Sequence, residues 1–302
     1  MATYNFKEEA EVYLVFGGST IRLDVSPDIS FSQTFTDKTY PQKTLHEQHK
    51  LHQASRITKA NPANFEFEIP ALNEDDLDQL FNLLVDFKTG TNTLDTFDLF
   101  FKFPTSGDVY KLETCVITSG TFIIEKLENL KLAISGEATK LLTTGQSIST
   151  VSRGTRTPLA ATPALFVKIA GTTLSSSVFR VSLELQNEIS WNPYETVNGA
   201  LSATNAATSM YPSQFTLQQR KLSGSVSQYI TSDFKLDLQQ WETGVTVDIR
   251  AGTTSTKGFQ FDLENCTFTN RLQVDEAFSQ IYDWKSNENP ANLGTLIKFN
   301  NI

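Results

Sequence analysis

Cysteine and histidine are almost missing from this chain, which has two of the first and three of the second in 302 residues. Cys115 and Cys266 form no CxxC pair and are too few for a disulfide framework. They read as small buried apolar residues, the usual place of a free thiol. His46, His49 and His52 all fall between positions 46 and 52. Histidines spaced i, i+3 share a helical face, but the stretch adds only Glu47 as a further ligand, so a solvated or interface segment is favoured over a metal site. Also missing are a GxSxG elbow, a Walker loop, a GxGxxG fingerprint and an HExxH pair, and no nucleophile has a visible partner. Neither an enzyme nor a cofactor is expected: no residue is singled out as catalytic and none as a metal ligand. No apolar run approaches the ~20 residues of a membrane-spanning helix. Met1 to Glu9 lacks the basic and then apolar regions of a signal peptide, so synthesis in a cytoplasm and no membrane association are expected.

Positive charge is in short supply as well. Twenty-five Lys and Arg face 34 Asp and Glu, for a net charge of −9 and a pI near 4.9. Such a surface repels phosphate, which argues against a protein that grips nucleic acid. The remaining composition, 39% hydrophobic and 20% charged, suits a folded chain.

What is present is a pattern met twice. Asp28-Ile29-Ser30-Phe31 matches Glu188-Ile189-Ser190-Trp191, and Leu112-Glu113-Thr114-Cys115 matches Leu263-Glu264-Asn265-Cys266. The offsets are 160 and 151 positions, so the halves differ by nine residues between these anchors. Loop-length differences of that size are easily tolerated. The two cysteines occupy equivalent places. The repeat predicts a first domain over residues 1–145, a Ser/Thr/Gly-rich linker over 146–162, and a second domain over 163–302.

Alternating apolar and polar residues predict strands at Val12–Phe16, Ile21–Val25, Phe65–Ile69, Phe97–Phe103, Val109–Ile117 and Phe122–Ile134. In the second half they predict strands at Leu165–Ile169, Val178–Ile189, Phe215–Leu217, Leu222–Ile230, Val245–Ile249, Phe259–Phe268 and Arg271–Trp284. Each half also offers one helix. Asn73 is a candidate N-cap for a helix carrying Leu77, Leu80, Phe81 and Leu84 and stopped by Gly90, and Ser232 for one carrying Phe234, Leu238 and Trp241 and closed by Gly244. The expected fold is mainly β (α+β), two fused barrel or sandwich domains, each with one outer helix and a long inter-strand loop.

The loop of the first half, 36–64, is basic within an acidic protein. Lys38, Lys43, Lys50, Arg56 and Lys59 are opposed by Asp37 and Glu47 alone, and Tyr40 is its one aromatic for base stacking. It reads as a flexible assembly arm pairing with an acidic surface on a neighbouring subunit, with a disordered surface loop as the plain alternative.

The order of these elements resembles siphophage tail tube proteins (major tail proteins) of the T-five type, in which one chain carries two fused tube domains. The likeness rests on Asp28-Ile29-Ser30-Phe31, the loop 36–64, the strand Phe65–Ile69 and Glu188-Ile189-Ser190-Trp191, with Cys115 and Cys266 as further repeat anchors. The resemblance implies a structural virion protein of the phage tail. Three chains would close a pseudo-hexameric ring, and rings would stack into a hollow tube that conducts the genome. Its implied partners are itself, the tail initiator or baseplate, the tail terminator and a tape measure protein in the lumen, with DNA passing unbound. Relatives with a C-terminal immunoglobulin-like decoration differ from this chain, which ends at Ile302. Two further readings stay open: a baseplate or distal-tail ring of the same fold, and a β-sandwich carbohydrate-binding or adhesin module.

Overall fold

The computed structural model describes residues 4–41, 53–72, 74–88, 91, 93–125, 128–151, 165–174, 177–192, 210–231, 241–254, 257–274, 276–287 and 297–299. Its first half runs β1 (Glu11–Phe16), β2 (Ser19–Leu23), β3 (Ser30–Ser32), β4 (Phe35–Pro41), β5 (Gln53–Ala60), β6 (Ala63–Ile69), α1 (Glu74–Val85), β7 (Phe97–Lys102), β8 (Val109–Glu125) and β9 (Lys131–Leu142). The second half runs β10 (Phe166–Ile169), β11 (Thr172–Thr173), β12 (Val178–Trp191), β13 (Phe215–Tyr229), β14 (Trp241–Thr254), β15 (Lys257–Val274), β16 (Phe278–Ser286) and β17 (Ile297–Phe299). The protein is mainly β, as its alternating sequence predicts.

Pairing is antiparallel throughout, and its order is the same in the two halves: β2-β1-β7-β8-β9-β6-β3 and β11-β10-β14-β15-β16-β13-β12. Local chemistry recurs with it. Gly17 and Gly18, both at positive φ, turn β1 into β2, and Ala170 and Gly171 do the same between β10 and β11. Two consecutive positive-φ residues give the twist that a tight hairpin requires. Thr114 and Asn265, each at φ 54°, stand immediately before Cys115 and Cys266. At those points the ladder slips, between Phe97 and Leu99 in one half and between Val245 and Val247 in the other. In the first half the Thr114 N–H donates to Asp98 Oδ1 at 3.0 Å, which holds the bulge. Both cysteines are fully buried beside it.

A glycine–aromatic pair also recurs, with its members exchanged. In the first half Phe65 of β6 stands opposite Gly136 of β9; in the second, Gly224 of β13 stands opposite Trp284 of β16. In each pair the ring fills the space a glycine Cβ would take, an arrangement that lets an aromatic cover bare strand backbone.

The halves join through one ladder, Arg180–Gln186 of β12 against Ser119–Glu125 of β8. Strand pairing then runs β3-β6-β9-β8-β12-β13-β16-β15 without interruption. Residues directly opposite one another share a face. One face is apolar: Ile69, Leu132, Phe122, Leu183, Gly224, Trp284 and Phe268 form a single row across seven strands. All of its side chains are buried. Leu84 of α1 packs there against Gly120.

Several sequence expectations are corrected. The predicted strand Phe122–Ile134 is the end of β8 and the start of β9, with the turn after Glu125. Gly120 stays in the strand, where the Leu84 side chain occupies the space its Cβ would take. Arg271–Trp284 is likewise a hairpin, with Val274 paired to Phe278 across its turn. Phe215–Leu217 and Leu222–Ile230 merge into β13, and the second strand is Ser19–Leu23. Helix α1 ends at Val85; its predicted N-cap Asn73 and stop Gly90 lie outside the described residues. In the second half Trp241 and Gly244 belong to β14, where Trp241 faces Phe268 and Gly244 sits at φ 82° in a ladder irregularity. Positive φ fits a helix stop as well as a bulge, which is why Gly244 misled. Residues 232–240, which hold Ser232, Phe234 and Leu238, lie outside the described residues. The loop 36–64 is not irregular at its base: β4 and β5 form a two-stranded ribbon from Phe35↔Ala60 to Pro41↔Gln53. Thr, Ile and Tyr there are good strand formers.

Candidate functional site

The face of the eight-strand path opposite the apolar row is polar. One row reads Glu68, Ala133, Thr121, Glu184, Ser223, Lys285 and Thr267; the next reads Lys131, Ile123, Ser182, Ser225, Asp283 and Thr269. Serine and threonine predominate, and charges are interleaved in sign. Arg180 meets Glu125 at 3.2 Å, Lys221 meets Glu188 at 3.3 Å and Arg271 meets Asp283 at 3.5 Å. These pairs are exposed and add little stability. They pair Arg180, Lys221 and Arg271 of this surface with carboxylates, which weakens its grip on a polyanion.

A buried, multiply bonded polar group lies at the seam between the halves. Arg220 of β13 is 6% exposed. Its Nε donates to Asn187 Oδ1 at 2.8 Å, and its Nη2 to the carbonyls of Leu84 and Val85 at 2.8 and 2.7 Å. Asn187 Nδ2 in turn donates to the Leu84 and Ile117 carbonyls at 3.2 and 3.1 Å. The guanidinium also lies 4.8 Å from the centre of the Phe87 ring. Second-half side chains thus cap the C-terminus of a first-half helix, where backbone carbonyls need donors and the dipole favours a cation. Burial pushes the guanidinium down to about 10, against the pull of the nearby Asp86 carboxylate, so it is charged at neutral pH. Sequence reading missed this group. An Arg inside the apolar alternation of β13 is its one visible signal.

Of the repeat anchors the cysteines fall on matching positions, whereas the register sets Ile29 and Phe31 against Val181 and Leu183 rather than Ile189 and Trp191. Ile29 is buried, Ser30 is exposed, and the Asp28 N–H lies 3.4 Å from Ser26 Oγ. Phe31 stacks on Phe101 at 4.3 Å. In the second half Glu188 pairs with Lys221, Ile189 and Ser190 are half-buried, and Trp191 Nε1 donates to Glu137 Oε2 at 2.6 Å. Cys115 and Cys266 stand at equivalent bulges but do not meet: they belong to separate ladders. Burial holds the Cys115 thiol well above its usual range, so it is unreactive.

Of the basic arm, Lys38 of β4 stands opposite Arg56 of β5, and Lys59 opposite Thr36. Lys43, His46, His49, Lys50 and His52 lie outside the described residues. The foot of the ribbon touches the second half. The Ala60 N–H donates to the Met210 carbonyl at 2.8 Å, and Phe35 meets Tyr211 edge-on at 6.5 Å. Met210 and Tyr211 end the second half's own polar loop, so the feet of the two loops adjoin.

Large apolar side chains are exposed at few places among the described residues: Tyr4, Phe6, Phe35, Tyr229, Leu272, Val274 and Phe278. The last three lie at the tip of the β15–β16 hairpin. Among the described residues no helix is long and apolar enough to cross a membrane.

A comparison with curated proteins finds no match. The family model of the Bacteriophage Baseplate Tube Protein Family matches residues 2–301. Matched along all but its two end residues, the chain belongs to the bacteriophage baseplate tube family, structural proteins of the phage tail.

Proposed function

We propose that the chain is a tube subunit carrying two fused copies of one tube unit, residues 1–145 and 163–302 joined by a linker over 146–162, and that three chains close a pseudo-hexameric ring. The observation that carries this reading is the identical seven-strand pairing order of the two halves. A chain that already supplies two of six positions needs only threefold symmetry to close. Rings then stack into a hollow tube through which the genome passes. The polar Ser/Thr face, with Arg180, Lys221 and Arg271 paired to carboxylates, serves as the channel wall, and DNA slides along it unbound. The apolar face with α1 points outward. No step of this role requires catalysis.

The basic arm, including Lys38, Lys43, His46, His49, Lys50, His52, Arg56 and Lys59, docks on an acidic neighbour during ring stacking. Further partners are the tail initiator, the terminator and a tape measure protein in the lumen. The family's description favours a tube at the baseplate end over a siphophage major tail tube of the T-five type.

Negative-stain and cryo-electron microscopy of the purified chain over a range of concentrations tests the proposal. Hollow tubes or rings with threefold end views are expected. Single closed rings that never stack assign it to a baseplate ring. Chains that stay monomeric up to the solubility limit, with mild heating, overturn the tube role.

A further inference from the structure

The two halves differ most where one covers the other. Aligning them on the cysteines, and allowing for the ladder slip between Ile117 and Ser119 in β8, brings Leu272 onto Phe122 and Val274 onto Ile124. The first-half residues are each 2% exposed, and the second-half ones 46% and 60%. All four belong to the apolar face. Phe122 and Ile124 are covered by the second half: Leu183 and Val181 of β12 stand opposite them, and the Phe122 ring meets Phe259 at 4.9 Å and Phe261 at 6.1 Å. Among the described residues nothing comparable covers Leu272, Val274 and Phe278.

A second copy has the matching surface. Phe261 stands opposite Ile249, as Tyr110 stands opposite Phe101, so Tyr110 is the first-half counterpart of Phe261. Asn5 Nδ2 donates to Tyr110 Oη at 3.1 Å and to Asp108 Oδ2 at 2.9 Å. That anchor places Tyr4, 76% exposed, and Phe6, 54% exposed, beside the position from which the second half covers the first. The register extends the likeness to β3. Phe31 stands opposite Phe65, and Phe65 opposite Gly136, as Leu183 stands opposite Gly224, and Gly224 opposite Trp284, so Ile29 and Phe31 are the counterparts of Val181 and Leu183. Phe31 itself lies 5.9 Å from the Tyr110 ring.

We infer that the β15–β16 tip of one chain (Leu272, Val274, Phe278) docks on the Tyr4–Phe6 corner of a second copy, beside Tyr110, so that the seam between chains repeats the side-chain cover of the seam within a chain. This seam rests on the tube reading and names the surfaces by which its rings close. The contact is head-to-tail, joining unlike patches, and so it closes a ring rather than a two-fold dimer.

Paired cysteines in the full chain test it, F6C with V274C, and both native cysteines are fully buried. Oxidation of assembled material should give chain-to-chain products that neither single variant gives. Leu272→Asp, at an exposed position, should leave the circular dichroism spectrum unchanged and raise the concentration needed for assembly about tenfold or more. Normal assembly by L272D without cross-links in the double variant overturns the seam and leaves the tube reading standing. Cross-linking by V274C alone shows a tip-to-tip contact and also overturns it. If the wild type never assembles, the tube reading fails and the seam with it.

Discussion

Replacing Arg220 by alanine removes three donated hydrogen bonds at once, and the structure says which acceptors suffer. The Leu84 carbonyl keeps Asn187 Nδ2 as a donor. Val85 O and Asn187 Oδ1 lose the bond that Arg220 gives them. Two buried acceptors left without donors cost about 1–3 kcal/mol each. Loss of a cation at a helix C-terminus adds about 0.3–1 kcal/mol, and loss of the contact with the Phe87 ring about 0.5–2 kcal/mol. The sum is roughly 3–9 kcal/mol, which lowers Tm by on the order of 10 °C in a chain of this size. Arg220→Lys keeps the charge but not the planar fork that reaches Asn187 and two carbonyls together, so it should recover about half the loss. Urea unfolding followed by circular dichroism measures both. An alanine variant within about 1 kcal/mol of wild type would refute the view that this cap ties the halves together.

Four other outcomes are expected. Gly136→Ala and Gly224→Ala should each destabilise by about 2–3 kcal/mol, because the new methyl meets strand backbone and an aromatic ring; Gly120→Ala should cost less, since only the Leu84 side-chain tip must move, and thermal melts rank the three. Neither Cys115 nor Cys266 should react with a thiol reagent at neutral pH in the folded chain, and both should react in denaturant; prompt labelling of the native protein contradicts their burial. Burial raises both the Cys115 thiol and the Tyr282 hydroxyl, so the fold keeps protons that the unfolded chain gives up first. The stability these groups lend is full below about pH 9 and falls as pH rises above it, a slope that Cys115→Ala should reduce in urea titrations. Deleting residues 43–56 should leave a folded monomer that no longer stacks, and normal tubes from the deletion would remove the arm from assembly.

The sequence by itself determined the strand class and the helix at Leu80, Phe81 and Leu84. These are local matters: period-two alternation and a 3.6-residue apolar stripe. It placed Cys115 and Cys266 as equivalents without showing that both sit beside a residue forced to positive φ. It misplaced the ends of β8 and β15, because the apolar pattern runs on through the hairpin turns after Glu125 and Val274. Only the tertiary structure decided which face of each strand is apolar, since register depends on the partner strand and a slip of one residue exchanges the faces. Only it joined Arg220 to a helix end 135 residues away, and it alone showed that Phe122 is covered while its counterpart Leu272 is not. Those three facts depend on contacts between distant segments, and distant contacts leave no period in a sequence.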